Sequence, residues 1–148
     1  MGSEINNNNK KKNNVRTSSR SSNLYLGFLI KMYRHLCQTT ISKFNQTVMK
    51  RLTMSKKIQV PISLSEIVRY FEKKKKTIVV VGKILNDERC VMVPKISVCA
   101  LQISSSARER IIKSDGKIFT FDQLATEFPT GKNCFLIRGS RVKRKRKY

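Results

Sequence analysis

Acidic side chains are what this 148-residue chain has least of. Nine Asp and Glu stand against 32 Lys and Arg, and between Glu4 and Glu66 there is no carboxylate at all. A formal net charge of +23 lies far beyond what solubility requires, so the composition calls for a polyanionic partner, a nucleic acid or an anionic membrane surface. Long apolar runs are also missing. The longest, Leu24 to Cys37, is 14 residues interrupted by Lys31 and Arg34, too short and too charged to cross a bilayer and without a small-residue cleavage site behind it. It reads as a buried helix of a soluble protein, with Gly27, Lys31 and Arg34 on one narrow strip and apolar residues around the rest. Cysteines 37, 90, 99 and 134 stand singly, with no Cys-x-x-Cys pair and one histidine, His35, in the whole chain. That supports neither zinc ligation nor a secreted disulfide framework, and points to reduced, mostly buried thiols in a cytosolic protein.

Catalytic chemistry finds little to work with. A nucleophile built from Cys134 and His35 would need an orienting third group, and His35 falls on a mostly apolar helix. Asp87 and Glu88 occupy a turn, Asp115 precedes a glycine and Asp122 lies in a helix cap, all ordinary structural positions. Thr130-Gly131-Lys132 has the end of a phosphate-binding loop, but position 126 lacks the glycine and Asn133 stands where Ser or Thr should meet magnesium. No cofactor, metal or small-molecule substrate is implied.

What is present is basic charge on periodic structure. From Ser42 to Lys57 the helical wheel puts Phe44, Val48 and Leu52 on one stripe with Ile41 beside them, while Lys43 and Lys50 point away and Arg51 borders the stripe. With no acid nearby, such a helix repels itself until an anion covers it. The charge is distributed unevenly: residues 1–65 carry +11, residues 66–137 only +5, and residues 138–148 carry +7. Residues 1–23, with the Asn6–Asn9 run and a serine-rich stretch, have nothing apolar to fold on and are expected to be an unstructured basic extension when alone. Residues 140–148 are expected to be a second. Between them, residues 24–139 form one domain, which leaves no room for another.

Past Pro61 the pattern turns to short alternating elements. Ser63 and Glu66 have the spacing of a capping box opening a helix to about Glu72, whose C-terminal end carries Lys73–Lys76 where cations suit the dipole. The β-branched run Thr77 to Val81 reads as a buried strand continuing to Leu85, with Cys90 to Val93 returning as its hairpin partner. Val98–Ile103 is a further strand, Ser104 or Ser105 caps a helix through Lys113, and Lys117–Phe119 is a strand. Thr120 and Gln123 make a second capping box for a helix ending before Pro129, and Cys134–Ile137 is the last strand. The fold class is α/β, a single layered domain of short alternating strands and helices, with helices 24–38 and 41–54 packed at one end.

Several of these stretches together resemble a known family. The run from Ser42 to Ser55, Pro61 to Ser65, Val79-Val-Val-Gly82 with Asp87 and Arg89 behind it, and Thr120-Phe-Asp-Gln-Leu-Ala125 followed by Pro129, Gly131, Asn133 and Arg138-Gly139 are similar to the eukaryotic cytosolic large-subunit ribosomal protein eighteen. That family shares its fold with bacterial large-subunit protein fifteen. The likeness runs in register from about Arg16 to Arg138; the Asn/Lys run at 6–14 and the short basic ending after Gly139 differ from the family pattern. The resemblance implies an irregular ribosomal-protein fold and a structural role in the large subunit. Its partners would be ribosomal RNA and neighbouring large-subunit proteins, in the cytoplasm after passage through the nucleus and nucleolus during assembly.

The residues expected to meet RNA are Lys10, Lys11, Lys12, Arg16 and Arg20 in the first extension, and Lys31, Arg34, Lys43, Lys50, Arg51, Lys56 and Lys57 in and after the two helices. Arg138, Arg141, Lys143, Arg144, Lys145, Arg146 and Lys147 complete the set at the other end. They would act by neutralising phosphates rather than by reading bases. A free-standing basic RNA- or DNA-binding protein accounts for the charge equally well, although no helix-turn-helix or aromatic-basic RNA-recognition motif is present. An RNA-processing enzyme would need a paired acid and base or a metal cluster.

Overall fold

A computed structural model describes residue 16, residues 18–56 and residues 58–140. Ten elements follow one another in it: α1 (Leu24–Thr39), α2 (Lys43–Thr53), β1 (Ile62–Ser63), α3 (Leu64–Lys74), β2 (Thr77–Leu85), β3 (Ser97–Ile103), α4 (Ser105–Lys113), β4 (Lys117–Phe119), α5 (Phe121–Glu127) and β5 (Cys134–Ile137). The α/β class is as the alternation of periods implies. The expected unstructured extensions fall largely on residues 1–15, 17 and 141–148, outside the described residues.

All strand pairings are parallel. β2 is the central strand because its residues from Ile78 to Gly82 are buried without a break, the pattern of a strand covered on both faces. β3 lies along one side of β2 and β4 beyond it. The other side is shared end to end: β5 pairs with Thr77 to Val80 and β1 with Ile84 and Leu85. The order β1, β2, β3, β4 moves steadily across the sheet and then β5 returns. Since parallel crossovers are right-handed, the helices of the outward moves belong on one face and the helix of the return on the other. The core divides accordingly. Ile67 of α3 and Ala107 and Ile111 of α4 pack with Ile78, Val80, Val98 and Ile137 on one face. Phe121 and Leu124 of α5, Leu29, Ile30 and Tyr33 of α1, and Val48 and Leu52 of α2 pack with Val79, Val81 and Cys99 on the other.

Five expectations need correction. Helices α1 and α2 cover a face of the sheet instead of packing at one end, because two apolar stripes of this length need a broad apolar surface to cover and only the sheet offers one. For the same reason α1 buries one stripe, Leu29, Ile30 and Tyr33, and leaves Leu24, Tyr25 and Phe28 exposed, so it is not buried all round. Ile41 is fully exposed, since α2 starts only at Lys43 and Ile41 is off its wheel. Residues 90–93 are not a hairpin strand. β2 and β3 run parallel, which a hairpin cannot join, and the irregular connection between them is clamped by Arg110, whose guanidinium donates to Asn86 Oδ1 and the Asp87 carbonyl at 2.9 Å each and to the carbonyls of Cys90 and Val91. The thiols, finally, are not mostly buried: Cys99 is, while Cys37, Cys90 and Cys134 are half-buried at the edges of the packed layers.

The caps divide as well. Thr120 and Gln123 form the reciprocal box, the Thr120 N–H donating to Gln123 Oε1 at 3.0 Å. Ser63 does start α3, but its hydroxyl makes no cap hydrogen bond; it lies 3.0 Å from the Ser65 hydroxyl, which donates to Asp87 Oδ2 at 2.5 Å. The carboxylate at the end of β2 wins the serines away from the helix terminus because hydrogen bonds to a charged acceptor are the stronger ones. Ser104 occupies the cap position of α4 with its hydroxyl buried and without a partner among the described residues.

Candidate nucleic-acid interface

The cations on α1 and α2 are displayed as the wheel requires. Lys31, Arg34, Lys43 and Lys50 are exposed, on helices whose opposite sides hold Leu29, Tyr33, Val48 and Leu52 in the core. Because the two helices pack side by side over one sheet face, these cations share the outer surface of one layer. His35, also exposed on α1, belongs to that surface and not to the core.

Arg51 is different. Half-buried, it donates through Nη1 to the carbonyl of Ile137 at 2.8 Å, tying α2 to the end of β5. Burial, and then the charge of Arg138 next in sequence, pull its pKa below the ordinary arginine value. Two guanidinium groups held within electrostatic reach form a local excess of charge that an anion would relieve. Arg138 itself is exposed.

A third group forms where the chain before α1 passes the connection between α2 and β1. Arg16, Arg20 and Lys56 line an open groove of about 670 Å3 whose floor includes Gly82 and Lys83 of β2 and Leu101 and Gln102 of β3. The register between β2 and β3 shifts after Val80, and past the shift Lys83 pairs with Gln102. Lys83 is not among the cations that the sequence pointed to. Its signal was available: it is the only charged residue in the otherwise apolar strand Thr77–Leu85. At the opposite end of the sheet Lys74, Lys75, Lys76 and Asn133 surround a shallower depression of about 500 Å3. Part of this charge has a structural place: Lys73 and Lys74 stand in the last turn of α3, where the dipole argument puts cations, and separately Lys74 Nζ sits 5.9 Å from the centroid of Phe135 while Lys75 ends the helix in the left-handed region with φ 49°. Lys10, Lys11, Lys12, Lys57, Arg141, Lys143, Arg144, Lys145, Arg146 and Lys147 lie outside the described residues.

The groups that could support catalysis are engaged elsewhere. Asp87 accepts from the Ser65 hydroxyl and from the Arg89 N–H, and Asp122 accepts from the Tyr25 hydroxyl at 2.7 Å; each carboxyl is held below its ordinary pKa by those bonds, Ser65's first and Tyr25's first. They stay ionised and are poor proton acceptors. Burial pushes the Cys134 thiol up to about 11 and Cys99 further, the reverse of what a thiolate nucleophile needs. Among the described residues no group of His, Cys, Asp and Glu is placed to hold a metal ion, and no helix is long and apolar enough to cross a membrane.

Comparison with known proteins agrees with the order and spacing of these motifs. Residues 2–148 match the family described as ribosomal protein 60S L18 and 50S L18e. The large ribosomal subunit protein eL18 of Drosophila melanogaster is 48% identical over 132 residues, covering 87% of this chain and 70% of that protein. The Tetrahymena thermophila protein of the same name is 47% identical over 126 residues, 84% of this chain and 70% of its own. The large ribosomal subunit protein eL18A of Schizosaccharomyces pombe is 45% identical over 131 residues, 85% and 70% respectively. On a full-length family match and relatives at this identity, the chain belongs to the L18 and L18e family of ribosomal proteins.

Proposed function

We propose that this protein is a structural constituent of the cytosolic large ribosomal subunit, that it binds ribosomal RNA by neutralising phosphates, and that it catalyses nothing. The observation that carries this reading is the acid-free stretch from Arg16 to Ser65, whose two helices turn every apolar side chain of their inner stripes to the sheet and their lysines to the outside. A surface of that kind is unfavourable alone and becomes favourable when condensed counterions on RNA are released by Lys and Arg. Membership of the family and the large-subunit names of its relatives support the assignment to the large subunit, and with it neighbouring subunit proteins as further partners. In this reading residues 24–139 are the folded body. Residues 1–23 and 140–148 are basic extensions laid along RNA, and Lys31, Arg34, Lys43, Lys50, Arg51, Lys56 and Arg138 are the body's points of attachment. The depressed carboxyls and elevated thiols support the absence of catalysis.

The test is sedimentation of a tagged copy through a polysome gradient. Comigration with free large subunits, monosomes and polysomes is expected. A tagged protein remaining at the top, or travelling with messenger ribonucleoprotein, would replace the ribosomal role with that of a free-standing RNA-binding protein.

A further inference from the structure

We infer that the groove between the segment before α1 and the carboxyl halves of β2 and β3 is a binding site for unpaired RNA, distinct from the phosphate-neutralising outer surface of α1 and α2. The inference rests on the proposed RNA-binding role and specifies the form of RNA that this one site takes. Four cations from three separate parts of the chain converge on it, Arg16 and Arg20 from the segment before α1, Lys56 from the connection after α2 and Lys83 from the sheet, and none of the described residues lining it is acidic. It lies against the carboxyl halves of two neighbouring parallel strands, touching Gly82 and Lys83 of β2 and Leu101 and Gln102 of β3. Charge complementarity settles the kind of occupant. The two ends of this chain are themselves basic, with Lys10–Lys12 on one side and the Arg141–Lys147 run on the other, and would be repelled.

The non-ionic lining decides between duplex and single strand. A duplex offers a protein phosphates and 2′-hydroxyls on a broad convex surface, which suits the outward side of the α1 and α2 layer. A recessed groove with an aromatic wall and amide side chains suits bases free of their partners, which can enter edge-first and stack. Tyr25 lines this groove, its hydroxyl bonded to Asp122 at 2.7 Å so that the ring is fixed in place, and it remains 45% exposed. Gln102 is exposed beside Lys83 with both the donor and the acceptor that a base edge requires. Phosphates on the cations and one or two bases against Tyr25 and Gln102 would fill the space.

The experiment measures affinity of the full chain for a 12-nucleotide unpaired RNA and for a 12-base-pair RNA duplex, lengths of about one turn, against salt. The proteins are the wild type, Lys83→Glu, Gln102→Ala and, as a control on the outer surface of α2, Lys50→Glu. Lys83→Glu is expected to weaken the single strand about tenfold and to reduce its salt slope by about 0.7 for each phosphate no longer neutralised, with duplex affinity nearly unchanged. Gln102→Ala, which alters no charge, is expected to weaken the single strand without altering the slope. Lys50→Glu is expected to do the opposite of Lys83→Glu, weakening the duplex selectively. Equal losses on both RNAs from Lys83→Glu, or none on either, overturn the groove while leaving the general RNA-binding role standing. A wild-type protein that binds neither RNA removes that role itself.

Discussion

Replacing Leu52 by alanine tests whether α2 turns the face to the sheet that its sequence predicts. Leu52 is wholly buried, in a cluster with Leu29, Tyr33, Val48, Val79 and Phe121 drawn from α1, α2, β2 and α5. The change removes three carbon atoms from that cluster, about 2.5 kcal/mol at ~0.8 kcal/mol per buried carbon. The cavity adds to this, because Leu52 is enclosed by a sheet that cannot move in and by helices already held to it, Arg51 pinning α2 to the end of β5 at 2.8 Å. A total loss of about 3 to 5 kcal/mol is expected, which for a domain of this size lowers the melting temperature by roughly 10 to 20 °C. Lys50→Ala, two residues away on the exposed side, should move it by no more than a degree or two, within the ±0.5 kcal/mol usual for surface changes. Thermal unfolding followed by circular dichroism at low protein concentration compares the two. Equal shifts would refute the assigned faces, and with them the claim that the lysines of α2 are free for RNA.

Other outcomes follow from particular side chains. Tyr25→Phe should cost stability in the middle of the pH range and converge with the wild type at both ends: Asp122 has a lowered folded pKa, so its contribution is present above the ordinary carboxylate value and lost as pH falls. Tyr25 is raised from 10.0 to about 12, so its contribution is present below pH 10 and lost as pH rises through that interval. The difference between wild type and variant should therefore be a plateau that falls away on both sides, and a flat difference from pH 3 to pH 11 would disprove the coupling. Gly131→Ala should destabilise by about 2 to 4 kcal/mol in a urea titration, because Gly131 has φ 73° and an added Cβ would lie 2.3 Å from the Phe44 ring. Gly27→Ala, with open space around its Cβ in the first turn of α1, should instead stabilise by about 0.5 to 1 kcal/mol, and an accompanying loss of RNA affinity would show that a phosphate backbone approaches there. Deleting residues 141–148 removes six cations and should flatten the salt dependence of ribosomal RNA binding by roughly 0.7 to 0.9 for every phosphate the tail had neutralised, with the melting temperature unchanged; an unchanged slope would reduce the tail to a solubilising one.

Much of this was settled by local chemistry alone. The helix at Leu24–Thr39, the strand at Thr77–Leu85 and the start of α5 at a Thr-x-x-Gln box follow from periodicity, β-branching and capping, all of which act within a few residues. Charge likewise needs no fold to be read, so the polyanionic partner and the cations of α1 and α2 were visible in the order of the residues. Tertiary structure decided where distant segments compete for the same group or share a surface. Nothing local says that Asp87 would take Ser65 and leave the α3 cap unmade, or that Arg110, 20 residues on, would hold residues 86–91 as a loop in place of a hairpin. Whether residues 24–39 are buried on one side or all round depends on how many layers cover them, a quantity set by the right-handed return of β5 and not by any stretch of α1. The groove has the same origin: Arg20, Lys56 and Lys83 are far apart in sequence, and only the parallel sheet, in which β5 pairs with β2 no further than Val80 and β2 shifts register against β3 beyond it, brings them to one place.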